Sequence, residues 1–86
     1  MKTFDFVITT PDGNMFEGKI VKVSLRGTEG ELAVMANHTP FVTSVKPCTC
    51  RIETEDGNVK ELDIKSGILS VTLENVALIT GNAKWM

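Results

Sequence analysis

The chain has 86 residues, 42% of them hydrophobic and 23% charged, with a formal net charge of −2. That length holds one domain rather than two, and that apolar share is too high for a disordered chain. The nine Lys and Arg residues never run together, so the electrostatic footprint of a nucleic-acid binder is missing. Nine Val, six Ile and ten Thr stand against four Ala and six Leu, a balance that favours pleated strands over helices. No stretch reaches the ~18 apolar residues of a membrane span. Asp5 interrupts the N-terminus where a signal peptide would carry its apolar run.

Period-2 alternation then runs along the chain. Phe4, Phe6 and Ile8 share one face of a first strand, and Pro11-Asp12-Gly13-Asn14 turns it into Met15-Phe16. Val21, Val23 and Leu25 alternate with Lys22, Ser24 and Arg26, which predicts a strand with one face on a core and one in water. Gly27 closes that run and Gly30 reopens the chain into Leu32-Ala33-Val34-Met35. Phe41 to Val45 follows His38-Thr39-Pro40, where the pre-proline position disfavours helix, and Pro47 ends it. Cys48, Cys50 and Ile52 alternate with Thr49, Arg51 and Glu53 up to the Asp56-Gly57 turn, from which Val59 to Ile64 returns. Ile68 to Leu73 and Val76 to Ile79 form a last pair around Glu74-Asn75, and Gly67 marks a bulge or a close backbone approach. With no helical stripe, linker or repeat, residues 1–86 are predicted to form a single all-β domain. Its nine or ten short strands suit a sandwich or flattened barrel.

The residues that could carry chemistry are few. His38 is the single histidine, and Asn37, Thr39 and Pro40 beside it supply neither a nucleophile nor an orienting carboxylate. It reads as a loop residue touching a partner. Cys48 and Cys50 could join His38 around a zinc ion, but structural sites usually take four ligands, and side chains at i and i+2 of a strand converge poorly on one ion. They read as small reduced thiols facing the core. Glu29 and Glu31 flank Gly30 as two solvated charges on a loop tip, or as a loop that meets another protein. The glycines form no phosphate-binding loop. With no Tyr, four Phe and Trp85 near the end, the stacking platform of a single-strand nucleic-acid binder is absent. The residues favour a binding module with no cofactor, metal or small-molecule substrate. The competing readings are a small metal-dependent hydrolase using His38 with Glu29, Glu31 or the thiols, and an unrelated sandwich interaction module.

The segment Gly27 to Pro47, GTEGELAVMANHTPFVTSVKP, resembles the signature stretch of the epsilon subunit of F-type ATP synthase, the equivalent of the mitochondrial delta subunit. The matching elements are Gly27, Glu29, Gly30, Glu31, Leu32, His38, Pro40, Lys46 and Pro47. Met15-Phe16-Glu17-Gly18 before them and Ser66-Gly67-Ile68-Leu69-Ser70-Val71 after them are similar too, with Glu74-Asn75-Val76 following. The resemblance implies a ten-stranded β-sandwich of two five-stranded sheets at the foot of the rotor stalk, peripheral to the cytoplasmic face of the bacterial inner membrane. It implies a non-catalytic subunit that docks the gamma subunit onto the c-ring and couples ion-driven rotation to ATP synthesis. Thr28, Glu29, Gly30, Glu31 and Leu32 would face the c-ring, and Ala36, Asn37, His38, Thr39 and Pro40 would face gamma. Most bacterial members continue into an inhibitory C-terminal helical hairpin. The sequence here stops at Lys84-Trp85-Met86, so it is expected to act without that brake.

Overall fold

A computed structural model describes residues 2–36 and 39–86, and the described residues form nine strands and no helix. They are β1 (Phe4–Thr10), β2 (Gly13–Gly27), β3 (Gly30–Met35), β4 (Phe41–Val45), β5 (Cys48–Thr54), β6 (Val59–Ile64), β7 (Gly67–Val71), β8 (Asn75–Thr80) and β9 (Ala83–Trp85). The strand β2 is 15 residues long and serves two layers. Its first half pairs with β1, from Gly13 opposite Thr10 to Ile20 opposite Phe4. Its second half pairs with β3 on one side and β5 on the other. Counting the two halves separately gives ten strands in two sets of five: β2-β1-β8-β7-β4 and β3-β2-β5-β6-β9. The sandwich and its strand number therefore agree with the expectation. Gly27 paired with Val45 of β4 links the two layers at the far end of β2.

The alternation expected for β2 needs one correction. The register shifts between Ile20 and Lys22, leaving Val21 as the extra residue of a bulge. Ile20 and Val23 are both fully buried although their parity differs, and Val21 is only half-buried. The extra residue resets which face points inward, so Ile20 takes the core place that alternation had given to Val21. Two further features were not anticipated. β1 runs parallel to β8, with Asp5 opposite Asn75, and the short β9 adds to β6 with Trp85 opposite Leu62.

The core lies between the layers and draws on eight strands, with Phe6, Ile8, Ile20, Val23, Ile52, Leu62, Ile64, Leu69 and Leu78 at its centre. Phe16 tilts against Phe6 at 6.0 Å between ring centroids and meets Trp85 edge-on at 6.4 Å, covering the side between β2 and β9. Thr80, 2% exposed, donates its hydroxyl to the Ser66 carbonyl at 2.5 Å, which satisfies a buried polar group. Gly67 explains itself by close approach: a Cβ there would run into the backbone carbonyl oxygen of Ile79. Both thiols are free, Cys50 fully buried and Cys48 half-buried, with the Arg26 amide N–H donating to the Cys48 sulfur at 3.4 Å. Burial, and secondarily the neighbouring Cys48, pushes the Cys50 thiol from 9.0 up to about 12.

Four outcomes follow from this packing. Val23→Asp should destabilise the fold by several kcal/mol, because it strands a charge on the inner face. An unchanged urea midpoint would place Val23 on the wrong face. Gly67→Ala should cost about 1–3 kcal/mol, since its neighbour is backbone that cannot swing aside. Gly27→Ala should cost less, because its nearest neighbour is the movable end of the Leu32 side chain. For Cys50, the unfolded chain releases the thiol proton near pH 9 while the folded chain holds it to about pH 12. Stability should therefore fall as pH rises through that window, and urea titrations of Cys50→Ala should show a shallower fall.

Candidate functional site

The β2–β3 hairpin carries the first candidate loop. Thr28 and Glu29 form its two-residue tip, Gly27 stands opposite Gly30, and Gly30 has φ +120°, a conformation that a side chain would strain. Glu31 and Leu32 already belong to β3. Thr28, Glu29, Gly30 and Glu31 are exposed and Leu32 is half-buried against the core. The Glu31 carboxylate lies 3.7 Å from the Arg26 guanidinium, with side chains 84% and 55% exposed, so the pair holds Glu31 only weakly. The turn end of the hairpin thus presents two acidic groups to solvent, Glu29 at the tip and Glu31 at the start of β3.

The second candidate loop joins β3 to β4. Ala36 is half-buried at its start, and Thr39 and Pro40 are exposed at its end. Asn37 and His38 lie outside the described residues, and so does any part that His38 plays with the carboxylates or thiols. Among the described residues no group of three His, Cys, Asp or Glu side chains is arranged to hold a metal ion.

A groove of about 420 Å³ brings the first loop against the beginning of β4. Residues 27–32 form one wall, and Phe41, Val42 and Thr43 form the other. The exit of the second loop thus opens beside the acidic tip of the first.

The two outer faces of the sandwich differ in kind. On the β3-β2-β5-β6-β9 layer, Lys22, Arg26 and Arg51 meet Glu53, Glu31 and Glu61 at 4.0, 3.7 and 3.7 Å, a lattice of opposite charges. On the other layer the outward positions of β4, β7 and β8 carry no charge: Val42 and Ser44, Ile68 and Ser70, Ala77 and Ile79. Register sets Ile68 beside Ile79, and Val42, Ile68 and Ile79 are 69%, 49% and 53% exposed. Sequence reasoning passed over these three residues. Their signal was present in the uncharged outward positions of three successive strands, but it could be read only once the strands were known to be neighbours.

The turn at Asp56 is locally satisfied and offers no free site. Thr54 donates its hydroxyl to the Asp56 carboxylate, and the Asn58 amide N–H donates to it at 3.2 Å. These bonds hold the Asp56 carboxyl below its ordinary range. No described helix is long and apolar enough to cross a membrane.

Comparison with known proteins bears on this arrangement. The family model described as the ATP synthase, Delta/Epsilon chain, beta-sandwich domain matches residues 3–86. The ATP synthase epsilon chain of Clostridium novyi is 37% identical over 84 residues, which cover 98% of this chain and 64% of that one. An ATP synthase epsilon chain of Clostridium perfringens is 29% identical over 85 residues, 99% of this chain and again 64% of the relative. The chain thus spans somewhat less than two thirds of the length of these relatives. Among solved structures, a chain of the Euglena gracilis mitochondrial ATP synthase superposes with a TM-score of 0.91 at 24% identity, covering 96% of this chain and 53% of that one. A chain of the Tetrahymena thermophila mitochondrial ATP synthase central stalk and c-ring superposes with a TM-score of 0.79 at 9% identity, covering 95% and 66%. At these identities the two superpositions speak to the fold. With the family model spanning nearly all of a two-layer sandwich that carries the Gly27 to Pro47 signature, the chain belongs to the delta/epsilon family of ATP synthase subunits and corresponds to the family's β-sandwich domain.

Proposed function

We propose that the chain is a non-catalytic part of the rotor stalk of an F-type ATP synthase, docking the gamma subunit onto the c-ring so that ion-driven rotation reaches the catalytic head. The observation that carries this reading is the family match over residues 3–86. The Clostridium relatives support a setting on the cytoplasmic face of a bacterial membrane, held there through the c-ring.

In this reading Thr28, Glu29, Gly30, Glu31 and Leu32 face the polar loops of the c-ring. The short, glycine-bounded turn supports that role by holding two carboxylates at the end of a rigid hairpin. Ala36, Asn37, His38, Thr39 and Pro40 face gamma, and the chain runs from them directly into β4 with its exposed Val42. An uncharged outer face is costly to leave wet and suits a protein partner. A close-packed sandwich suits torque transfer, because such interiors are poorly compressible and pass strain on.

Binding measurements with purified gamma and a purified c-ring separate the two contacts. Glu31→Lys should weaken c-ring binding about tenfold and leave gamma binding intact, since it reverses a charge at the turn end of the hairpin. Val42→Asp should weaken gamma binding about tenfold and spare the c-ring, since it puts a charge on the uncharged face. If the unmodified chain binds neither partner at micromolar concentration, the coupling role is lost.

A further inference from the structure

The β2–β3 hairpin leaves one edge of its second strand unused. Two residues join Gly27 to Gly30, and the pair flanking a two-residue connection exchanges both of its backbone hydrogen bonds. The ladder alternates from there. Leu25 with Leu32 and Val23 with Val34 are bonded pairs, whereas Arg26 with Glu31, Ser24 with Ala33 and Lys22 with Met35 are not. The groups on β2 agree with this parity. The Arg26 carbonyl accepts from the Lys46 N–H at 2.9 Å, the Arg26 N–H donates to Cys48, and Ser24 stands opposite Arg51 of β5. All of these partners lie on the side away from β3. By the same alternation Glu31, Ala33 and Met35 aim their N–H and C=O groups away from β2, where no described strand pairs with them.

Edges of this kind recruit foreign strands unless Lys, Pro, a bulge or a covering loop guards them. β3 reads Gly30-Glu31-Leu32-Ala33-Val34-Met35, with no Lys, no Pro and an unbroken register. Beside it runs the groove between Leu32 and Phe41 with Val42. The turn end of this edge is acidic through Glu29 and the largely exposed Glu31, and the other end offers Ala33 and Met35, the latter 55% exposed.

We propose that the free edge of β3 accepts an extended strand from a partner protein that carries Lys or Arg opposite Glu31 and an apolar residue over the groove. Main-chain bonds to Glu31, Ala33 and Met35 supply the affinity, and the acidic end with the Leu32, Phe41 and Val42 side chains of the groove supplies register and choice of partner. This goes beyond the stalk role above and stands whichever protein supplies the strand.

The test uses two capped nonapeptides, Thr-Val-Thr-Val-Lys-Val-Thr-Val-Thr and Thr-Val-Thr-Val-Glu-Val-Thr-Val-Thr, long enough to reach Met35 with the central residue opposite Glu31, added to the purified chain at millimolar concentration while amide hydrogen exchange is followed residue by residue. The lysine peptide should slow exchange at Glu31, Ala33 and Met35 by about tenfold. Leu32 and Val34, already bonded to β2, should change little. Ala33→Pro removes an outward N–H without touching the β2 ladder and should abolish the slowing in a chain that remains folded by circular dichroism. Glu31→Gln leaves the backbone untouched and should keep strand addition while erasing the preference for the lysine peptide, so the charge part of the proposal does not depend on a proline variant folding. The proposal is overturned if neither peptide slows the three amides, if folded Ala33→Pro is protected as well as the unmodified chain, or if the two peptides protect equally. It is also overturned if the peptide-free chain forms a dimer that Ala33→Pro dissolves, because the edge then belongs to a second copy.

Discussion

The whole sandwich depends on one break in one strand. β2 must present Ile20 to the core beside β1 and then Val23 and Leu25 to the core beside β3 and β5. Strict alternation cannot do both, because Ile20 and Val23 would lie on opposite faces. The bulge at Val21 removes the conflict by adding one residue to β2 and none to β5. It also bends the strand, since bulges raise the local twist, and the bend lets the same backbone leave one layer and enter the other. The hydrogen-bonded ladder is therefore continuous through both sheets.

From that shared strand the two layers diverge in surface chemistry. The layer built on the second half of β2 faces water with Lys22, Arg26, Arg51 and their carboxylate partners. Each of these exposed pairs contributes little to stability, but together they keep a flat sheet soluble and discourage sheet-to-sheet association. The layer built on β1, β8, β7 and β4 shows Val42, Ile68 and Ile79 set among small hydroxyl residues, and its charges stay at the β1–β2 rim, where Lys19 meets Asp5 at 3.2 Å. The two outer sides are therefore unlike both in charge and in exposed apolar area.

Much of the fold was legible because period-2 alternation and turn chemistry are local. Phe4, Phe6, Ile8, Cys50 and Ile52 are buried where alternation put them, and Pro11-Asp12, Thr28-Glu29 and Asp56-Gly57 lie in the connections between strands. Non-local features were not legible. The parallel pairing of β1 with β8 leaves no trace within either segment, and β9 is too short to show a period. The Val21 bulge hides because Val21, Val23 and Leu25 mimic a regular strand. The candidate loops were found through family-like residues at Gly27 to Pro47, whereas the free edge of β3 and the uncharged face depend on which strands are neighbours, and that knowledge comes only with topology.

The parallel partnership of the first and eighth strands also bears on how the chain folds during synthesis. Asp5 has no partner on that side until Asn75 arrives, and the β1-β8-β7 ladder cannot close before β8 has been made. The hairpins β1–β2, β2–β3 and β5–β6 can form early from local contacts, but the core they cover stays open until the eighth strand inserts between β1 and β7. Loop closure over that sequence distance makes the insertion a slow step. A nascent chain emerging from the ribosome would therefore hold its aromatic first strand half-covered until β8 has been made, and would acquire the rigidity of a closed sandwich in one step.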